Sequence, residues 1–191
     1  MRILSLLITL AAFAAGVMFM VSRYERYQQN NRIEAQNLRK SDANKVVKAI
    51  NAMDRHSRSC TDYMIGLTTG TFEQEATTAN VALFFGETCG KSMTTEATKA
   101  TDVIAGLANE DDGVAGRTKF LSEARALVET YRSQASDFEA AYQLLKAAGS
   151  QSARAALNPQ VTPMMNRAIP AINRGLDGLE SARRAYIYPN G

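Results

Sequence analysis

The sequence predicts an all-α protein in which an N-terminal transmembrane helix precedes an antiparallel, up-down four-helix bundle. Three observations favour this fold: a stretch of nineteen uncharged residues near the N-terminus, apolar residues at helical spacing after it, and no proline before Pro159. Runs of alternating β-branched residues, which are typical of strands, are missing. We therefore expect two parts, residues 1–21 as the anchor and residues 22–191 as the bundle.

The expected anchor comprises residues 3–21, whose apolar character is interrupted only by Ser5, Thr9 and Gly16. At about 1.5 Å of rise per residue, this helix reaches roughly 28 Å, close to the hydrocarbon thickness of a bilayer. A cleaved signal peptide is the alternative, because residues 12–14 (Ala-Phe-Ala) have the small-x-small form of a cleavage site. The apolar run continues past that site to Val21, which favours an uncleaved anchor.

The flanking charges leave the membrane orientation open. Arg2 precedes the apolar run, and five basic residues follow it within twenty residues: Arg23, Arg26, Arg32, Arg39 and Lys40. The positive-inside rule alone would place the large domain in the cytoplasm, yet long domains cross membranes largely regardless of flanking charge. The cysteine pair described below favours export. We expect a single-pass protein of a bacterial inner membrane with its bundle in the periplasm, and the cytoplasmic orientation stays open.

Two helices are expected before residue 109. Apolar or small residues three and four positions apart define the first core-facing seam: Ala43, Val46, Ile50, Met53, Ser57, Cys60 and Met64. The second seam comprises Val81, Phe85, Cys89, Met93, Ala97, Ala100, Ile104 and Leu107. Seams with this spacing keep one helix face against a partner helix. Glycine-rich or polar stretches at residues 66–71 and 109–113 predict the connections.

Two further helices follow the second connection. The third seam comprises Ala124, Val128, Tyr131, Ala135, Phe138, Tyr142 and Leu145, and the fourth comprises Val161, Met165, Ala168, Ile172, Leu176 and Leu179. Gly149 is placed to end the third helix as a left-handed C-cap residue. The fourth helix is expected to begin as a short piece at residues 152–157 and to restart near Asn158 or Thr162. Pro170 lies inside it and should kink it.

Cys60 and Cys89 each fall on a core-facing seam. A disulfide requires their Cα atoms to lie within about 7 Å, which in an antiparallel hairpin places the midpoint near residue 74 or 75. The second helix must then begin at about residues 77–79. The alternative is two buried, unreacted thiols, because free cysteine is among the most buried residue types. A disulfide would also indicate an oxidising compartment.

The composition excludes several classes of function. A net charge of +3 with interleaved acids and bases gives no basic stripe for nucleic acid, so we expect no nucleic-acid partner. His56 is the only histidine, and there are two cysteines, too few for a structural zinc site or a di-iron site. Phosphate-loop, haem-attachment and nucleophile-elbow motifs are missing. We expect no enzyme, no metal and no cofactor.

The third and fourth segments resemble a known sensory module. The resemblance rests on residues 119–131 with a tyrosine at their end, residues 138–145, the turn at residues 148–149, residues 155–157, and the Val-Thr-Pro at residues 161–163. This pattern is similar to the four-helix-bundle sensor domain of methyl-accepting chemotaxis receptors, over roughly residues 22–187. That family has a second transmembrane helix and a cytoplasmic signalling hairpin, which this sequence lacks. We therefore expect a stand-alone relative of the sensory module.

The resemblance implies where a ligand could bind. Receptors of that family that bind amino acids hold a carboxylate with arginines on the first helix, at the dimer interface. Arg55 and Arg58 lie one turn apart on the first helix here, beside His56, and a guanidinium pair can grip a carboxylate. The alternative is that both arginines are solvated charges beside the seam. The family's spacing of several arginines over nearly three turns is not reproduced.

Two functions compete at this point. The first is a membrane-anchored, exported binding or sensor-like module that recognises a small ligand or a partner protein. The second is a structural accessory subunit, or scaffold, of a larger membrane complex. Either one would contact the membrane through residues 3–21 and could form a homodimer along the first helix. We favour the binding module by a small margin, since a bundle alone does not specify function.

Overall fold

The structure is a computed structural model that describes residues 2–72, 77–109 and 113–189, with side chains described from residue 16 onward except Ala115. These residues are almost entirely helical and contain no strand, which confirms the all-α prediction. The helices are α1 (Arg2–Thr69), α2 (Thr78–Phe84), α3 (Met93–Ala108), α4 (Ala115–Ala147), α5 (Gln151–Ala156), α6 (Asn158–Asn166) and α7 (Ile169–Ile187). A π-helical segment, Phe85–Ser92, joins α2 to α3. The chain forms two compact units, residues 1–41 and residues 42–191.

The first unit consists of the N-terminal part of α1. Its described side chains include an exposed apolar and aromatic group: Val17, Met18, Phe19, Met20, Val21, Tyr24 and Tyr27. Most of the predicted anchor, residues 3–15, lies outside the described side chains. Among the residues that the structure describes, no helix combines the length and the apolar character needed to cross a membrane.

The second unit begins with a disulfide-linked hairpin. A disulfide joins Cys60 of α1 to Cys89 of the π-helical segment, with 5.5 Å between their Cα atoms, which confirms the predicted pairing. Gly70 follows α1 in a left-handed conformation (φ +80°), a role that glycine fills without steric cost. The next helix begins at Thr78, where the disulfide requires it, and the Thr77 hydroxyl accepts the Asn80 N–H as its N-cap. The predicted midpoint at residues 74–75 lies outside the described residues.

The π-helical segment matches an irregularity in the second seam. Val81, Phe85, Cys89, Met93 and Ala97 follow one another in four consecutive steps of four residues. An α-helix has 3.6 residues per turn, so such a run would drift around its surface. A π-helix has wider i→i+5 turns that absorb the excess. Cys89 and Met93 therefore stay on the buried face that Val81 begins.

The predicted fourth helix is three helices. A short α5 and a restart at Asn158 agree with the prediction, and Pro159 lies in the first turn of α6. The predicted kink at Pro170 is instead a break just before it, because Pro170 lies in the first turn of α7, where its missing N–H costs nothing. The left-handed cap at Gly149 was wrong: the chain leaves α4 through an extended Ala148, and the Ser150 hydroxyl caps α5 at once.

Two apolar clusters form the core of the second unit. The first cluster comprises Ala43, Val46, Ile50, Met53, Met93, Ala97, Ala100, Ile104, Leu107, Phe120, Leu121, Ala124, Leu127, Val128, Tyr131, Ile172, Leu179, Ala182, Tyr186 and Ile187. The second, which we call the cystine cluster, comprises Cys60, Tyr63, Met64, Leu67, Val81, Cys89, Phe138, Ala141, Leu145, Val161 and Met165. Both clusters include residues of α1 and α4, so these two helices run past the whole core.

Most of the predicted seams are buried, with one informative exception. All seven seam residues of the first helix are buried. On α4, however, Ala135 is exposed and its neighbour Gln134 occupies the buried position. The prediction for Ala135 was wrong because it ranked residues by apolar character. The core at this level is polar, and the candidate site lies there.

Candidate functional site

A polar layer separates the two apolar clusters. On α1, Ser57 lies between Met53 of the first cluster and Cys60 of the cystine cluster. On α4, Gln134 lies between Tyr131 of the first cluster and Phe138 of the cystine cluster. Ser57 and Gln134 are only 3% and 1% exposed. The Ser57 hydroxyl donates a hydrogen bond of 2.7 Å to Gln134 Oε1, which joins α1 to α4 at this level.

The amide nitrogen of Gln134 is buried without a partner among the described residues. Rotating the amide by half a turn would let the nitrogen donate to Ser57, but the carbonyl oxygen would then be the unpaired atom. In either orientation, one buried polar atom of Gln134 has no hydrogen bond to any residue that the structure describes. Such an atom costs about 1–3 kcal/mol, so a ligand or a water that pairs with it gains that amount.

A pocket opens beside this amide. Its volume is about 260 Å³, and it lies between α1, α4 and the start of α7. Its lining residues are Asp54, Ser57, Arg58, Thr61, Asp62, Gln134, Ile169, Ile172 and Asn173. Seven of these nine residues have polar side chains, and two isoleucines form an apolar wall. We call this the Gln134 pocket.

The charges in the Gln134 pocket are partly paired. Arg58 Nε donates to Asp54 Oδ2 at 2.7 Å, and the Tyr131 hydroxyl donates to Asp54 Oδ1 at 2.9 Å. The hydrogen bond and the negative charge of Asp54 raise the pKa of Arg58 above its usual value. Burial, followed by the charge of Asp54, raises the pKa of Tyr131 well above its usual value. Asp54 thus accepts hydrogen bonds from a guanidinium on one side and a phenol on the other.

Asp62 is the second carboxylate of the pocket. It lies one helical turn beyond Arg58 and, among the described residues, makes no hydrogen bond or ion pair. Its attraction to Arg58 is the weakest of the influences on that arginine. Two carboxylates and one guanidinium give the lining a net charge of −1. Of the two carboxylates, Asp62 is the one without an ion pair to any residue in the described part of the chain.

An ion pair fixes the third wall of the pocket. Asp137, one turn after Gln134 on α4, is 4% exposed and accepts a hydrogen bond of 3.0 Å from Arg167 Nε. Arg167 lies in the break between α6 and α7. This contact holds the start of α7 against α4 and so positions Ile169 and Asn173 in the pocket wall.

The residues predicted to bind a ligand have different positions. Arg58 lines the pocket, but its charge is already directed at Asp54. Arg55 is exposed and does not line the pocket, and His56 is half-buried outside it. Of the predicted pair, the structure places Arg58 in the lining of this pocket and Arg55 outside it. In the described part of the chain, no group of three or more His, Cys, Asp or Glu side chains could hold a metal ion.

Sequence reasoning missed Gln134, Asp54 and Asp62. The available signal was Ser57, a polar residue on an otherwise apolar seam, which requires a polar partner when it is buried. Gln134 is adjacent to the α4 seam and was the nearest candidate. The spacing of Asp54, Arg58 and Asp62 at successive i,i+4 positions also places all three on one face of α1.

A second cavity includes Met53 and Tyr131 in its lining. It has a volume of about 270 Å³ and is lined by Met53, Met93, Thr94, Ala97, Thr98, Tyr131, Arg132 and Ala135. Its only charged lining residue is Arg132, which pairs with Glu129 and donates a hydrogen bond to the Thr101 hydroxyl. This cavity has no unpaired buried polar side chain, so it lacks the feature that distinguishes the Gln134 pocket.

No protein-family model matches this sequence, and no curated protein or solved structure matches it either.

Proposed function

We propose that this protein is an exported helical-bundle binding module that recognises a small polar ligand in the Gln134 pocket. One observation carries the proposal: Gln134, which is 1% exposed and lines a pocket of about 260 Å³, has an amide nitrogen without a partner among the described residues. Buried polar groups in proteins nearly always have a partner. A ligand that supplies the missing partner would gain affinity and orientation from this one contact.

The arrangement of the helices supports a binding role. We propose that α5, α6 and α7 together act as the fourth helix of an antiparallel, up-down four-helix bundle. Pockets in helical bundles commonly form between helices, from side chains that face inward. The Ser57–Gln134 hydrogen bond joins α1 to α4, and the Arg167–Asp137 contact holds the start of α7 against α4, so three walls of the pocket are in place before a ligand binds.

The disulfide supports the proposed compartment. Disulfides persist in oxidising compartments and are rare in reducing ones. The bond between Cys60 and Cys89 therefore favours a periplasmic bundle over a cytoplasmic one. The resemblance of residues 22–187 to chemoreceptor sensor domains agrees with ligand recognition, and anchoring through residues 3–21 would hold such a module at the membrane.

A thermal-shift screen of the full chain in detergent micelles tests the proposal. The library should contain small amines, alcohols, amides and carboxylic acids, because a ligand that binds only the folded state raises its melting temperature. We expect at least one class to raise it, and the Gln134→Leu variant to lose that response. Gln143→Leu is the matched control, since Gln143 is an exposed glutamine on the same helix, outside the pocket.

Two results would contradict a binding module. One is a library in which no compound changes the melting temperature. The other is a shift of equal size in wild type and Gln134→Leu, which would place the ligand elsewhere. A chain that ignores every compound but co-purifies in detergent with a fixed set of membrane proteins would instead be the accessory subunit of a larger complex.

A further inference from the structure

We infer that the Gln134 pocket takes a compact organic monocation: a primary amine that carries a hydroxyl or carbonyl oxygen on a short carbon chain. The inference rests on the proposed function and specifies its ligand class. Three features of the lining carry it: the Asp62 charge and the Gln134 amide donor, neither of which has a partner among the described residues, and the two isoleucines.

The charge distribution selects a cation. The Arg58 guanidinium already donates to Asp54 at 2.7 Å, and Tyr131 donates to the other oxygen of Asp54. The positive charge in the pocket is therefore already paired with Asp54. The Asp62 carboxylate has no ion pair among the described residues, and the lining carries a net charge of −1. An ammonium group would be attracted here, and a carboxylate would face two like charges.

The buried amide selects a hydrogen-bond acceptor. In the orientation in which Gln134 Oε1 accepts from the Ser57 hydroxyl, the amide N–H is the group without a partner among the described residues. A hydroxyl, ether or carbonyl oxygen can accept from it. A ligand without such an oxygen would fill the pocket and leave the buried donor unpaired. Sites that leave a buried polar group unpaired in this way discriminate strongly against the analogue that lacks the matching group.

The size of the pocket limits the ligand. A volume of about 260 Å³ lies just below the usual range of roughly 300–1,000 Å³ for small-molecule sites. Ile169 and Ile172 provide an apolar wall that methylene groups can contact. A chain of a few carbons between ammonium and oxygen satisfies all three features, whereas a nucleotide or a sugar chain would not fit.

Matched probes test the charge and the oxygen separately. The panel is the series of linear amino alcohols with two to five carbons, and it includes three controls. Propylamine lacks the oxygen, 1,3-propanediol lacks the cation, and 3-hydroxypropanoate has an anion in place of the cation. Binding to the full chain is measured by isothermal titration calorimetry at neutral pH and low salt. We expect one or more amino alcohols to bind more tightly than all three controls. The loss against propylamine should be about fivefold to a hundredfold, the range for an unmade buried hydrogen bond.

Variants assign the two contacts. Asp62→Asn should weaken amino alcohol binding by about twofold to fivefold, the range for an exposed ion pair, and leave diol binding unchanged. Asp102→Asn is the control, because Asp102 is an exposed carboxylate outside the pocket. Gln134→Leu should remove the preference for the amino alcohol over propylamine.

The outcomes separate this inference from the proposed function. If the diol or the hydroxy acid binds as tightly as the amino alcohols and loses affinity in Gln134→Leu, the pocket is a binding site but the ligand class is wrong. If no amino alcohol binds, the inference is wrong even when the wider library contains a ligand. If that library also contains none, the proposed function fails with it.

Discussion

Gln134 shows how one polar side chain can oppose stability. Its amide lies in the core with only Ser57 as a described hydrogen-bond partner, and one amide atom remains unpaired. A core selected for stability alone would place an apolar residue at this level. The cost of burying this amide agrees with a role in ligand recognition.

Removing the polar pair should therefore not destabilise the protein. In the Ser57→Ala/Gln134→Leu double variant, both partners are apolar, and we expect the free energy of unfolding to equal or exceed that of wild type. Ser57→Ala alone should lower it by about 1–3 kcal/mol, because both polar atoms of the Gln134 amide are then unpaired. Urea denaturation measures all three proteins. A double variant no more stable than Ser57→Ala would contradict this reading of the polar layer.

Tyr131 should make the protein sensitive to alkali. Burial and the charge of Asp54 raise the pKa of its phenol above the ordinary value of about 10. Above pH 10 the unfolded chain loses this proton while the folded chain retains it, so stability falls as the pH rises. The slope from this one group approaches about 1.4 kcal/mol per pH unit.

The Tyr131→Phe variant isolates that contribution. We expect the free energy of unfolding, measured between pH 9 and pH 11, to fall less steeply above pH 10 in the variant than in wild type. The other tyrosines are present in both proteins, so their contributions cancel in the comparison. Identical slopes would mean that the Tyr131 phenol has an ordinary pKa in the folded state.

At the scale of helices, the sequence predicted where helices begin better than it predicted the type of helical turn within them. The disulfide constraint placed the start of α2 within a residue, because a covalent distance limit is stronger than helix propensity. The π-helical segment was missed, although its four steps of four residues were visible on the seam. The unpaired Gln134 could not be predicted, since the pairing of a buried amide depends on three-dimensional contacts between α1 and α4.

The disulfide should account for a measurable part of the stability. Cys60 and Cys89 are separated by 29 positions, and closing a loop of about thirty residues stabilises a protein by roughly 3–4 kcal/mol in the chain-entropy model. We expect the free energy of unfolding of the Cys60→Ala/Cys89→Ala variant, measured by urea denaturation, to be lower than that of wild type by this amount. Reductant should destabilise wild type and leave the variant unchanged. Equal stability of the two proteins without reductant would contradict this contribution.

For the whole molecule, the anchor at residues 3–21 remains a prediction that fractionation can test. Expressed in a Gram-negative bacterium, the full chain should stay with the membranes after alkaline extraction, and a variant lacking residues 3–21 should not. Protease added to intact spheroplasts should degrade the bundle if the bundle is periplasmic. If the bundle is cytoplasmic, the protease should degrade it only after the membrane has been permeabilised. Recovery of the full-length chain in the soluble fraction of the alkaline extraction would contradict an anchor. Loss of about the first fourteen residues from the recovered protein would indicate a cleaved signal peptide.

The division of the core into two apolar clusters has a consequence for cooperativity. Each cluster holds its own set of side chains, and the layer between them contributes little hydrophobic cohesion. The cystine cluster is also cross-linked, so it should keep its amide protons protected against solvent exchange after the first cluster has begun to open. A ligand bound in the layer between the two clusters would couple them, so that both clusters would unfold in one transition. Its binding would then raise the protection of amide protons in both clusters.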